Sequence, residues 1–127
     1  GHREGRTGQR GSAAQLFPSE NAHVVAAVQL MTRSLRQRVT IADIAATLRL
    51  SQKHLERLFR LEFGVTPKTA YERLRLEQAR REVLVGRKPI SQIAQAYDYT
   101  SSTFASKYRT QFGLSPFRDR QLSSMIR

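Results

Sequence analysis

The side chains best suited to chemistry in this sequence are cations and hydroxyls placed where a helix would face outward. Lys53, Glu56 and Arg57 are three and four residues apart, so they share one face of a helix. An arginine can bind guanine through two atoms, a lysine can reach a base or a phosphate, and a carboxylate can accept from a cytosine amine. We predict that these three side chains read base edges, with Arg57 as the main reader. For Glu56, a solvated helix charge or a partner that orients Arg57 or Arg60 is an equal alternative.

A second group of small hydroxyl residues follows at an offset of 49 positions. Ser101, Ser102 and Ser106 would occupy the corresponding outer face, and serine hydroxyls discriminate poorly between bases. We therefore expect weaker sequence demand from this face, with binding carried by phosphates and thymine methyl groups. The expected phosphate ligands are cations and helix caps beside the two faces: Arg49, Ser51, Arg60, Thr100, Lys107 and Arg109.

These residues need elements that position them, and the sequence supplies one such element twice. The stretch from Ile41 to Gly64 aligns without a gap on Ile90 to Gly113, at an offset of 49 residues. Each copy predicts a short helix, a turn with a capping residue, and a second helix with an apolar stripe and a glycine stop. Two short helices joined by a tight turn are typical of a helix–turn–helix unit. The shared register favours a duplicated unit over a generic helical bundle with accidental similarity.

A third, longer helix is predicted to join the two units, from Pro67 to about Val85. At 1.5 Å per residue it would be roughly 27 Å long. Successive major-groove faces lie about 34 Å apart along a duplex, so one chain could place both outer helices in adjacent groove segments. Arginines 73, 75, 80 and 81 of this helix stand among glutamates, and we expect most of them on a solvated, internally compensated face.

The sequence divides into four predicted parts. Residues 1–17 are rich in Gly, Arg, Gln and Ser, which predicts a flexible basic linker. Residues 18–65 form the first helix–turn–helix subdomain, 66–86 the linker helix, and 87–127 the second subdomain, which a short helix from Pro116 closes. Ser19 is the predicted cap of the first helix, which would end between Leu35 and Arg38. Because Gly1-His2 lacks an initiator Met, the chain looks like a fragment whose partner domain precedes residue 1.

Composition narrows the class of function. The 22 Lys and Arg against 10 Asp and Glu give a net charge of +12, and 18 of those cations are arginines, so a polyanion is the expected partner. Strand signals are absent, which predicts an all-α fold. The sequence has no cysteine, no apolar run of membrane-spanning length and no signal peptide, which is compatible with a cytoplasmic protein.

Enzymatic activity is the rival class of function, and the motifs do not favour it. His2, His23 and His54 lack metal-ligand spacing, and the sequence has no glycine-rich phosphate loop or nucleophile elbow. We therefore expect no catalysis, no metal and no cofactor. An architectural protein that binds nucleic acid without sequence preference would explain the charge but not the duplication. A protein-interaction bundle is a third alternative, and such a surface could coexist with DNA binding.

The motifs together resemble the DNA-binding domain of the AraC/XylS family of bacterial transcription regulators. The resemblance rests on IADIAATLRLSQKHLERLFRLEFGVTP, RLRLEQARREVL and ISQIAQAYDYTSSTFASKYRTQFGLSP, which cover roughly residues 39–120. It implies seven helices, two helix–turn–helix subdomains, binding to double-stranded promoter DNA and a surface that touches RNA polymerase. By position, the family's base readers fall on Lys53, Glu56 and Arg57 and on Ser101, Ser102 and Ser106.

Two details refine the resemblance. Tyr108-Arg109 and the ending FGLSPFRDR resemble the subgroup whose N-terminal domain is similar to class I glutamine amidotransferases and senses small metabolites without catalysis. A sensor and dimerisation domain is therefore expected elsewhere in the parent chain. The departure is Asp98-Tyr99, where the family usually has Gly-Phe. A carboxylate near DNA is expected to weaken docking of the second unit, so Asp98→Gly should strengthen binding.

Overall fold

The computed structural model describes residue 13 and residues 15–126, and within them it contains helices and no strand. The predicted all-α class is confirmed for this part of the chain. Seven α-helices have both ends in these residues: α1 Ala22–Arg33, α2 Ile41–Thr47, α3 Gln52–Phe63, α4 Pro67–Val85, α5 Ile90–Ala96, α6 Ser101–Phe112 and α7 Pro116–Ile126. Ala13, Gln15 and Leu16 are also helical.

Two compact units divide the chain between Leu74 and Arg75, inside α4. The predicted division treated residues 66–86 as a separate linker helix, whereas the compact units share that helix. The first unit packs the N-terminal half of α4 with α1, α2 and α3 around one apolar cluster. The second unit packs the other half with α5 and α6 around another, and α7 joins it through Asp119, which accepts from Arg80 at 2.8 Å. Each helix–turn–helix pair therefore has its own core.

The first helix begins later than its predicted cap. Asn21 is the N-cap, and its side-chain oxygen accepts from the backbone N–H groups of His23 (3.0 Å) and Val24 (3.2 Å). The prediction of Ser19 was therefore wrong by two residues, and asparagine caps a helix as well as serine does. Ser19 donates instead to Glu62 on α3. The predicted end was also too late, because α1 ends at Arg33 and the chain turns at Ser34.

The C-terminal end of the predicted flexible linker over residues 1–17 is packed against the first unit. Ala13 and Phe17 are buried in the first core, and the Phe17 N–H donates to the Ala13 carbonyl at 2.9 Å. The Phe17 ring meets the Phe63 ring edge-on, with centroids 5.1 Å apart. Burial of this aromatic side chain offsets part of the entropy cost of ordering the residues around it. Residues 1–12 and 14 of that expectation lie outside the described part.

The duplication extends beyond the two helix–turn–helix pairs. Bounds of α2 and α3 recur in α5 and α6 at the 49-residue offset. In the first unit the Tyr71 hydroxyl donates to the carbonyl of Ser34 at 2.6 Å, which fastens the end of α1. The equivalent Arg120 donates through Nε to the carbonyl of Val83 at 2.8 Å, near the end of α4. Each helix–turn–helix pair is thus flanked by helices tied in the same way.

Candidate nucleic-acid interface

Helix α3 turns its apolar stripe inward and its cations outward. Leu55 and Phe59 are fully buried, which fixes the rotation of the helix about its axis. The Ser51 hydroxyl caps the first turn by accepting from the His54 N–H at 3.0 Å. With the helix held in this way, the side chains left exposed include Lys53, Arg57 and Arg60.

Glu56 and Arg57 each have a partner on α3 that sequence reasoning did not identify. Gln52 donates through Nε2 to a Glu56 carboxylate oxygen at 3.4 Å, one turn back along the helix. The Arg57 guanidinium lies 3.4 Å from Nδ1 of His54. Glu56 is therefore held by Gln52 in this structure. The alternative prediction was that Glu56 orients Arg57 or Arg60. The spacings of three and four residues were the signal that could have revealed both contacts.

Helix α6 has the same frame with a different outer face. Phe104 and Tyr108 are buried, and Thr100 caps the helix by accepting from the Thr103 N–H at 3.1 Å. The exposed positions of this helix carry short hydroxyl side chains in place of the long cations of α3, at Ser101, Ser102 and Ser106. Of the predicted phosphate ligands here, Arg109 is exposed and Lys107 is half-buried.

The two helix–turn–helix turns have the same unusual backbone. Arg49 and Asp98, which are equivalent in the repeat, have φ angles of 60° and 64° and are the described non-glycine residues with positive φ. The next N–H in each turn, of Leu50 and of Tyr99, donates back into the preceding helix at 2.9 Å. Asp tolerates this left-handed conformation better than most residues do, whereas Arg adopts it at a cost of roughly 1 kcal/mol. Both side chains are exposed, so one turn presents a cation and the other a carboxylate.

Two arginines of α4 contradict the predicted solvated face. Arg75 is only 4% exposed and donates to the carbonyl of Tyr97, the residue that ends α5. Its guanidinium also lies over the rings of Tyr97 and Tyr99, 5.9 and 5.6 Å from their centroids. Sequence spacing cannot separate a buried arginine from a solvated one, because the apolar rings that cover it come from a distant segment. Arg75 therefore contacts the residues on both sides of Asp98 and stabilises that turn.

Arg80 is the second exception, and it belongs to a polar cluster that anchors α6. Its Nε donates to Asp119 Oδ2 at 2.8 Å, and the Tyr108 hydroxyl donates to the same oxygen at 2.6 Å. The equivalent positions of the first unit are Met31, Phe59 and Ala70, which all lie in its apolar core. The second unit therefore replaces one apolar layer with a hydrogen-bonded ionic one.

The cluster shifts the pKa of each member. Burial would raise the pKa of the Asp119 carboxyl, but the hydrogen bonds from Arg80 and Tyr108 outweigh it and hold that pKa below its ordinary value. Burial, followed by the hydrogen bond to Asp119, raises the pKa of Tyr108 far above its ordinary value. The hydrogen bond to Asp119 raises the pKa of Arg80. At neutral pH the cluster is thus an ion pair with a protonated phenol.

The described residues contain neither a cluster of metal ligands nor a membrane-spanning helix. Groups of three or more side chains able to hold a metal ion do not occur among them. None of the helices that the structure describes is both long and apolar enough to cross a membrane.

Known proteins resemble this chain in sequence and in fold. A family model described as a helix-turn-helix domain matches residues 44–121. The HTH-type transcriptional regulator ArgR of Pseudomonas aeruginosa is 33% identical over 119 residues, which are 93% of this chain and 36% of that protein. The regulator CdhR of the same organism is 31% identical over 113 residues, 88% of this chain and 34% of CdhR.

A solved structure gives the same result. The crystal structure of a transcriptional regulator with an AraC-type DNA-binding domain, from Chromobacterium violaceum, superposes with a TM-score of 0.77 at 32% identity. The match covers 80% of this chain and 92% of that one. The chain spans little more than a third of the length of the curated regulators it resembles.

Proposed function

Because the chain belongs to the AraC/XylS family of helix–turn–helix domains, which bind DNA and regulate transcription, we propose that α3 reads bases and α6 mainly docks on the backbone. In this proposal Lys53, Glu56 and Arg57 enter one major groove, with Arg57 bidentate to guanine. Ser101, Ser102 and Ser106 enter the next groove segment, where they add little discrimination. The partner is double-stranded promoter DNA.

The observation that carries the proposal is the contrast between two equivalent outer faces. Both helices bury two large side chains and are capped in the same way. Long cations cover the face of α3, whereas short hydroxyls cover the face of α6. Bidentate base contacts contribute about 1–3 kcal/mol of discrimination each, and serine can make none of comparable reach. Two unlike half-sites in direct order, one strict and one permissive, follow from this contrast.

Phosphate contacts are proposed for residues around both helix N-termini and on their flanks. Exposed cations are available at Arg49, Arg60 and Arg109, and Lys107 is half-buried beside them. The caps at Ser51 and Thr100 leave backbone N–H groups of the first turn directed outward, where an anion is favoured. Asp98 opposes this arrangement in the second unit, because its carboxylate stands where the first unit has Arg49.

Selection of bound duplexes from a random pool, at near-physiological salt and followed by sequencing, tests the proposal. Two enriched half-sites with centres about 10–10.5 base pairs apart are expected, with higher information content in one of them. Arg57→Ala should flatten one position of the strict half-site. The matched control is Ser106→Ala at the equivalent position of α6, which should leave the selected motif nearly unchanged.

The same selection addresses the second candidate function. A nonspecific architectural protein is favoured by the net charge of +12 and by the excess of arginine. It would bind the pool with a steep dependence on salt and enrich no motif. If Arg57→Ala selects the same half-site as the wild type, the chain binds DNA with sequence preference but Arg57 is not the residue that reads it.

For the parent protein we propose an N-terminal sensor and dimerisation domain that precedes this one. The support is that ArgR and CdhR are much longer than the matched region. Contact with RNA polymerase is proposed for the same parent, which would work in the bacterial cytoplasm beside the chromosome. The relatives are named as regulators and not as enzymes, and the proposal includes no catalysis.

A further inference from the structure

The contact between His54 and Arg57 gives α3 a device that the sequence pattern did not indicate. Arg57 is exposed and long, so in isolation its guanidinium would sample many rotamers. In the structure that guanidinium lies 3.4 Å from Nδ1 of His54, one helical turn back. His54 is half-buried, and its backbone N–H donates to the Ser51 hydroxyl at 3.0 Å. The backbone of His54 is therefore held in the first turn of α3, and its imidazole lies beside the long Arg57 side chain.

We propose that His54 is a positioning residue that holds Arg57 for base reading through an uncharged imidazole. The proposal rests on the proposed function, since it assigns a partner to the base reader of α3. A guanidinium can only donate, so Nδ1 must be the acceptor of this contact. That role requires the neutral ring with its proton on Nε2. A protonated ring would present a second donor and a like charge to Arg57, and the contact would be lost.

Several ionisable groups lie on the helices around His54. Arg57 is in contact with the ring, with its guanidinium 3.4 Å from Nδ1. Asp43 on α2 is engaged at the start of its own helix, where it accepts from the Thr40 N–H at 3.3 Å. The other ionisable groups on α3 and on the helices packed with it are His23 and Arg33 on α1, Lys53, Glu56, Arg60 and Glu62 on α3, and Lys68, Glu72 and Arg73 on α4.

The second unit supplies an internal contrast. The positions equivalent to His54 and Arg57 are Thr103 and Ser106 on α6. Neither side chain needs positioning, because a short hydroxyl has few rotamers to lose. Of these two helices, α3 carries both the long Arg57 side chain and the His54 imidazole beside it. Holding one long side chain in place before binding is worth a fold-change in affinity of about three to ten.

Binding of the wild-type chain and three variants to the selected duplex tests the proposal. Each protein is titrated with that duplex and with its three substitutions at the position that Arg57→Ala flattens, at pH 7.5 and at pH 5.5. His54→Gln keeps an acceptor without a titrating proton, and His54→Ala removes it. Both replacements are good helix formers, and a thermal unfolding scan checks that each variant is folded.

The expected result is a specific pattern of discrimination between the duplexes. At pH 7.5 the wild type and His54→Gln discriminate, and His54→Ala discriminates about three- to ten-fold less. At pH 5.5 the wild type discriminates less than at pH 7.5, while the discrimination of His54→Gln does not change. Since His54→Gln retains His2 and His23, a loss shared by that variant would be assigned to them and would overturn the proposal.

Failure of the inference and failure of the proposed function give different results. Unchanged discrimination in His54→Ala, with loss in Arg57→Ala, overturns the positioning role and leaves the base reader intact. A wild type that discriminates equally at both pH values also overturns it. No discrimination by the wild type at any position removes both the base reader and its positioning residue.

Discussion

Replacement of the ionic layer of the second unit by the apolar layer of the first gives a sharp test of how the core is built. Arg80, Tyr108 and Asp119 occupy the positions that Met31, Phe59 and Ala70 occupy in the other unit. The triple variant Arg80→Met, Tyr108→Phe and Asp119→Ala copies that apolar layer. Apolar residues of similar volume often equal or exceed a buried ionic cluster in stability. We expect the triple variant to lie within about 1 kcal/mol of the wild type, or above it.

The single variant Asp119→Ala should behave very differently. It leaves the Tyr108 hydroxyl, in a fully buried residue, without its acceptor, at a cost of about 1–3 kcal/mol. It also leaves Arg80 without its carboxylate. Because the Arg80 side chain is 37% exposed, water compensates that charge, and we add only about 0.5–1 kcal/mol for it. The sum is about 1.5–4 kcal/mol of destabilisation, larger than for the triple variant, which removes the polar groups together.

Urea denaturation at pH 7 measures these free energies of unfolding, with far-ultraviolet circular dichroism as the signal. Asp119→Asn is the matched control, since it keeps an acceptor oxygen and removes the charge, and it should fall between the wild type and Asp119→Ala. The reasoning is refuted if the triple variant is as unstable as Asp119→Ala. That outcome would mean that the polar layer has no apolar equivalent in this unit.

Three further predictions follow from the same contacts. The pKa of Asp119 is lowered in the fold, so its ion pair stabilises the folded state above about pH 4, and this contribution is lost as pH falls through the folded-state pKa. The wild type should therefore lose stability relative to the triple variant in acid denaturation. Parallel acid curves for the two proteins would contradict this. Asp98→Gly, compatible with the φ of 64°, should tighten DNA binding roughly two- to five-fold at low salt, and Asp98→Asn, which tests the charge alone, should retain most of the gain in a fluorescence titration. Leu61 is 76% exposed and lies one turn beyond Arg57 on the outer face of α3, so Leu61→Lys should make the logarithmic salt slope about 0.9 steeper if it reaches a phosphate, whereas an unchanged slope would place Leu61 outside the interface.

Local periodicity was sufficient for most of the fold. The bounds of α2, α3, α5 and α6, with their caps and glycine ends, follow from apolar spacing and capping residues that are close in sequence. The misjudged features all depend on distant partners. Phe17 needs the ring of Phe63, and Arg75 needs the rings of Tyr97 and Tyr99. Such contacts leave no periodic signal, because only the folded chain brings them together.

The outer faces show the same division between local and distant information. Burial of Leu55 and Phe59 could be predicted from spacing, and it determines which side chains of α3 face outward. The partners of Glu56 and Arg57 were also local, at Gln52 and His54, but glutamine and histidine were not weighed as acceptors or donors there. Roles of these residues in DNA recognition stay predictions until the selected duplexes are measured.

Helix α4 gives the two units a common element with consequences for how the chain unfolds. Ala70 and Leu74 belong to one core, while Leu76 and Val83 belong to the other, and the same run of backbone hydrogen bonds passes through both. Helix formation is cooperative, so loss of one core would fray α4 only as far as the other core holds it. The chain therefore resembles a repeat protein of two units with nearest-neighbour coupling. Loss of one core would lower the melting temperature of the other unit, but the other unit would still fold. A chain built in this way can lose the core of one unit and keep the other unit folded.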